Sequence, residues 1–197
     1  MPAPDFSKMV QDNVKELLRI QQRVLPVKVG RAVQESIREN FRKGSFYGRN
    51  AWAPPLRTTL GFSGAAGQYG PLLSGSNHLM MSTDYVPMNA KVLIRNFAQY
   101  AAVHNDGDQI QVTQRMKKFF WAKHYEAEYL RGKGSPEAEF WGKMALKKPG
   151  SSIRIPERHF LGPGPAVDKI VSGVIDTELR NYINQHFNNG KVTAKSH

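Results

Sequence analysis

The sequence predicts an α+β fold: a small antiparallel sheet packed by N-terminal helices and a long C-terminal helix, with a long Gly-rich basic loop. Three observations carry this. Apolar residues recur at three- and four-residue spacing at both ends of the chain, β-branched and aromatic residues alternate in the middle, and the stretch between is rich in Gly, Ser and Pro. A chain of 197 residues can bury roughly 70% of its unfolded surface, so a single domain over residues 1–187 is expected, followed by a disordered basic tail at 188–197.

Phe6, Met9, Val10, Asn13, Val14, Leu17, Leu18, Gln21 and Val24 form one helical stripe with polar breaks at Asn13 and Gln21, which predicts a helix to about Arg23. Pro26 then opens a second helix with Val29, Val33, Ile37 and Phe41 at four-residue spacing and Lys43-Gly44 as its exit. Residues 44–77 read as a flexible arm. From Leu79 to Phe97, Val92 and Ile94 alternate with Lys91, Leu93 and Arg95 around Pro87-Met88-Asn89-Ala90, the pattern of a hairpin. Gln99 to His104 reads as a helical turn ended by Asn105-Asp106-Gly107, and Ile110 and Val112 as a short strand. Ser135 as N-cap and Pro136 at the first position start a helix through about Leu146. Ile153 and Ile155 flank Arg154 in a strand that Pro156 ends, and Gly162-Pro163-Gly164-Pro165 turns the chain into a last helix carrying Val167, Ile170, Val171, Val174, Ile175, Leu179, Tyr182, Ile183 and Phe187. Asn188-Asn189-Gly190 stops it.

The net charge of +12 favours polyanions as partners. From Asn40 to Thr83 there is no carboxylate, while Arg42, Lys43, Arg49 and Arg57 are present. Residues 115–133 interleave Arg115, Lys117, Lys118, Lys123, Arg131 and Lys133 with Phe119, Phe120, Trp121, Tyr125 and Tyr129. Rings among lysines suit a single-strand nucleic-acid module, yet Met116, Phe119, Phe120, Lys123 and Ala127 also fit one side of a packed helix. Arg49, Arg57, Lys117, Lys118, Trp121 and Lys123 are therefore the candidate contacts with DNA or with another subunit. No export signal or membrane span is legible, and the absence of cysteine fits synthesis in a reducing cytoplasm.

An enzyme needs a constellation that the chain does not offer. Gly61-Phe62-Ser63-Gly64-Ala65 lacks the final glycine and the preceding strand of a nucleophile elbow. Gly142-Lys143 and Gly190-Lys191 lack the Ser or Thr and the upstream glycine of a phosphate-cradling loop. His78, His104, His124, His159 and His186 are dispersed, and His104 with Asp106 reads better as a turn cap than as a metal pair. No catalysis, metal or cofactor is expected.

Four phrases in order are more distinctive: Asn50-Ala51-Trp52-Ala53-Pro54; Leu73-Ser74-Gly75 ahead of Leu79; Tyr100-Ala101-Ala102-Val103-His104-Asn105-Asp106-Gly107; and Ile155-Pro156-Glu157-Arg158-His159-Phe160-Leu161-Gly162. This series resembles the phage virion-morphogenesis family, also called tail-completion proteins, of Mu-like phages and prophages, over roughly Val24 to Phe187. Two departures stand out: Ser76-Asn77-His78 stretches the second phrase, and residues 108–150 read as a lineage-specific insertion. The resemblance implies a structural protein made in the host bacterial cytoplasm and carried in the virion, at the tail terminus or head-tail joint. It further implies a hexameric ring that contacts tail-tube and connector proteins and makes non-specific contact with packaged DNA. Within that frame Tyr100, His104, Gly107, Pro156, Arg158, Phe160 and Gly162 are expected to be structural, with Arg158 bridging carbonyls or a carboxylate, His104 hydrogen-bonded and Gly107 at positive φ.

Overall fold

The computed structural model describes residues 6–62 and 65–188. The expected tail at 188–197 lies almost wholly outside these residues, as do Ser63 and Gly64 of the elbow-like phrase. The chain is α+β, and its strands form three two-stranded ladders, β1-β2, β3-β4 and β5-β6. It clusters into two compact units, one from Met1–Ser36, Thr83–Arg95 and Pro163–His197, the other from Ile37–Ser82 and Asn96–Gly162.

In the first unit, α1 (Phe6–Arg19) runs through a π-helical turn, Ile20–Val24, into α2 (Leu25–Lys43), so Pro26 does not separate two helices as expected. The reason lies in the backbone donors. The wider turn lets the Leu25 N–H reach the Ile20 carbonyl. The Gln22 carbonyl, which sits four residues before the proline and loses its regular donor there, accepts instead from the Ala90 N–H at 3.2 Å. Ala90 closes the two-residue turn between β3 (Thr83–Met88) and β4 (Lys91–Asn96) at φ 56°, a conformation costly for alanine that this bond helps to hold. Tyr85 of β3 lies so close to Gly30 of α2 that a Cβ at residue 30 would overlap its ring.

The last helix, α9 (Pro165–Ile183), starts with Pro165 in its first turn and Asp168 near its positive end, then widens into a π turn at Asn184–Asn188. Its buried Tyr182 donates a hydroxyl bond of 2.7 Å to the Asn13 side-chain oxygen. The polar break in the α1 stripe thus receives a polar group from α9, and Lys28 of α2 pairs with Glu178 of the same helix.

The second unit begins with the C-terminal half of α2, where the four-residue stripe becomes fully buried at Phe41. Residues 44–77, expected to be a flexible arm, contain β1 (Ser45–Phe46), β2 (Arg49–Ala51), α3 (Leu56–Thr59) and α4 (Ala65–Gln68). A few anchors order the stretch: Trp52 is buried, and its ring meets Phe41 edge-on at 5.7 Å. Arg42 and Lys43, in the run without carboxylates, reach back to Glu39 just before it. α5 (His78–Met81) and α6 (Ala101–Asp106) follow on either side of the hairpin in sequence.

β5 (Asp108–Gln111) pairs antiparallel with β6 (Ser152–Ile155), Asp108 opposite Ile155 and Gln111 opposite Ser152. This ladder closes the base of the 108–150 segment, whose body is a helical hairpin of α7 (Gln114–Arg131) and α8 (Pro136–Ala145). Thr113 and Ser135 cap the two helices through their hydroxyls. Small residues bring the helices close: Ala127, Ala138 and Ala145 are buried, and the His124 Nδ1–H donates to the Ala138 carbonyl at 2.8 Å. Phe120 stacks on Trp141 with ring centres 5.9 Å apart.

Removing the α9-to-α1 bond isolates its contribution. Tyr182→Phe is expected to lower stability by about 1 kcal/mol and the melting temperature by roughly 2–4 °C in a chain of this size, measured by thermal unfolding.

Candidate functional site

Three of the four distinctive phrases meet in the second unit, around the segment that follows β6. Pro156 stands directly after Ile155, the last paired residue of the ladder, and supplies no further donor to it. Beyond it the chain is irregular through Gly164, with a bend at Leu161-Gly162, so its polar backbone groups need partners from outside regular structure. The other phrases provide them.

The Arg158 N–H donates to the His104 carbonyl at 2.9 Å. The N–H groups of Phe160 and Leu161 both donate to the Asn105 side-chain oxygen, each at 2.9 Å. The His159 carbonyl accepts from the Trp52 indole N–H at 3.0 Å. Arg158 is 8% exposed and donates through Nε to the Ala53 carbonyl at 3.0 Å. Phe160 is 0% exposed and tilts against Phe41 with ring centres 4.9 Å apart, while His159 meets Phe46 edge-on at 4.6 Å. An apolar plug is therefore set by hydrogen bonds on both sides.

Two glycines permit the close approach. Gly107 has φ 72°, and a Cβ there would lie 2.8 Å from the Glu157 nitrogen; a Cβ at Gly162 would overlap the His159 ring. Tyr100 touches His104 edge-on at 5.7 Å and shares a 3.0 Å hydrogen bond with His78 Nδ1. His104 was expected to be hydrogen-bonded; its backbone is, through the Tyr100 carbonyl and the Arg158 N–H, while its ring Nδ1 is buried without a hydrogen-bond partner. Burial first, and then the Arg158 charge, lower the His104 pKa from its ordinary value of 6.5. Arg158 itself is pushed down by burial and by nearby Arg57.

Arg57 was expected to face an outside partner. On α3 it instead donates through Nη2 to the carbonyls of Tyr69, Gly70 and Leu73, at 3.2, 3.0 and 2.9 Å, which ties the second distinctive phrase into the same unit. A planar fork surrounded by backbone oxygens serves as an internal brace of the loop that carries them. Arg49 lies exposed on β2. Lys117, Lys118, Trp121 and Lys123 share α7: Trp121 stacks on Tyr125 at 5.8 Å and Lys123 pairs with Glu126 at 2.6 Å. None of these α7 residues is among the partners of Arg158, His159, Phe160 or Leu161 named above.

Asn105 is the residue that sequence reasoning missed. Within Asn105-Asp106-Gly107 it read as a turn former, and no local pattern says that its oxygen serves two amides more than fifty residues ahead. Its only signal was membership in the Tyr100–Gly107 phrase.

The arrangement is a scaffold of backbone bonds and packed rings. Among the described residues, no group of three or more His, Asp or Glu could hold a metal ion, and no helix is long and apolar enough to cross a membrane. The chain matches the phage virion morphogenesis family over residues 6–180 and belongs to that family. It is thus a phage virion-assembly protein. No curated protein and no solved structure matches it.

The half-buried His104 makes stability depend on pH. Its folded pKa is depressed, so below pH 6.5 the unfolded chain binds the proton more readily, and the His104 contribution is present above that pH and lost as pH falls through it. The melting temperature is expected to fall between pH 7 and about pH 5 more steeply in the wild type than in His104→Gln, read from unfolding curves at matched ionic strength.

Proposed function

We propose that this protein is a non-enzymatic structural component at the head-proximal end of the phage tail, where copies associate into a ring that completes the tail and permits head joining. The observation that carries the reading is the convergence of the family's phrases on a buried structural knot, with Asn105, Trp52 and Arg158 all engaged in holding backbone. Residues so engaged build a rigid body. A rigid body repeated through one heterologous contact forms a ring when the rotation per copy closes. Family membership over most of the chain places that body in virion assembly.

Hexameric stoichiometry fits a tail with sixfold symmetry, and tail-tube and connector proteins are the neighbours such a ring would meet. A net charge of +12 suits a ring around passing DNA, because phosphate contacts attract without reading sequence. Lys117 and Lys118 on α7 are the lysines we assign to that contact. The single-strand module is less favoured, since Trp121 is stacked on Tyr125 and Phe120 on Trp141, which occupies ring faces that bases would need.

Deleting the gene from an inducible prophage and counting heads, tails and joined particles by electron microscopy tests the reading. Separate filled heads with tails of abnormal length or unfinished ends are expected, restored by the gene in trans. Joined particles in normal numbers would remove the protein from tail completion.

A further inference from the structure

The first unit leaves more apolar side chain in water than a monomer ordinarily keeps. α1 contains no buried residue: Phe6 is 72% exposed and Val14 50%, and Met9, Val10, Leu17 and Leu18 are exposed with them. The opposite side of the helix is charged, with Lys15 paired to Asp12 and Arg19 to Glu16. This is an amphipathic helix whose apolar side has little to pack on.

The face continues beyond α1. Leu179, Ile183 and Phe187, at the end of α9 and in the turn after it, are exposed as well, and Tyr182 between them bonds Asn13 in the middle of the α1 stripe. Leu17 and Leu179 line one cleft of about 610 Å³, whose walls include Ile20, Val29, Val171 and Ile175. Together the exposed side chains of the face leave on the order of 800 Å² of apolar surface in water, above the roughly 300–600 Å² of a monomer's largest patch and the size of one partner's share in a standard interface.

We infer that a second copy of this chain covers the face, with Phe6, Val10 and Val14 of one copy's α1 seated in the apolar cleft of the next. Residues spaced by four along one side of a helix are the anchors of helix-in-groove recognition. The same unit carries both parts, an amphipathic helix with an exposed apolar side and an apolar cleft, and the area fits one subunit contact. Because the donated surface and the receiving surface differ, the contact is head-to-tail and leaves a free helix and a free cleft at the ends of any open chain of copies. The inference deepens the proposed ring by naming its seam, and it rests on that reading only in taking the partner to be another copy.

Sedimentation of the full chain over a range of concentrations tests it. The wild type is expected to associate and to dissociate on dilution. Val10→Glu/Val14→Glu changes exposed positions and should stay folded by circular dichroism while binding at least ~10-fold more weakly; Leu179→Glu, at the cleft, should do the same. An equimolar mixture of the two variants restores one good helix and one good cleft, so it should yield 1:1 dimers that neither variant forms alone. Should Leu179→Glu fail to fold, a V10C/I175C chain, free of other cysteines, should form disulfide-linked ladders of copies. Three results overturn the inference: a wild type that stays monomeric at ~100 µM, variants that associate as the wild type does, or a folded mixture without dimers. A monomeric protein whose gene deletion still yields unfinished tails would remove this seam and leave the tail function standing.

Discussion

The second unit depends on one side-chain oxygen. Asn105 accepts from two successive backbone N–H groups, Phe160 and Leu161, in a segment that has left its ladder and has no helix to enter until Pro165. Without that acceptor, two amides next to a fully buried phenylalanine would have to find water or stay unpaired, and an unpaired buried donor costs about 1–3 kcal/mol. Phe160 can therefore be held against Phe41 because Asn105 satisfies the chain on which it sits. The surrounding bonds follow the same logic: Trp52 serves the His159 carbonyl, His104 serves the Arg158 amide, and Arg158 serves Ala53. Segments distant in sequence complete one another's backbone.

The first unit solves a similar problem with less. A proline within a helical path removes a donor, and here the π turn and the Ala90 amide absorb the loss at Gln22, so that one continuous helical path carries both the exposed stripe of α1 and the buried stripe of α2. Burial deepens along that path, from none in α1 to complete at Phe41. The exposed end is suited to a partner and the buried end to the fold, and the same alternation of apolar residues encodes both.

That double use explains what the sequence could and could not disclose. Periodicity located α2, α9 and the β3-β4 hairpin, whose apolar residues repeat, and the Ser135-Pro136 start located α8. It could not distinguish the α1 stripe from a core stripe, since exposure depends on what lies opposite. The π turn was hidden because Pro26 looked like a beginning. The order in residues 44–77 was hidden because it comes from single anchors, Trp52 and Arg57, whose partners are distant in sequence. Tyr100, His104, Gly107, Pro156, Arg158, Phe160 and Gly162 were singled out through the family resemblance, whereas the bonds that join their segments, those of Asn105 above all, exist only between segments. The basic aromatic stretch held two readings, and the packing of Phe120 on Trp141 supports the structural one for that face of the helix.

Amide hydrogen exchange at Phe160 and Leu161 tests most directly whether Asn105 holds this unit together. In the wild type both amides should exchange among the slowest outside helices and ladders. Asn105→Ala should accelerate both by about tenfold or more, and Asn105→Asp, which keeps an acceptor, should lie between the two. Rapid exchange of these amides in the wild type, or rates unchanged by Asn105→Ala, would contradict the account.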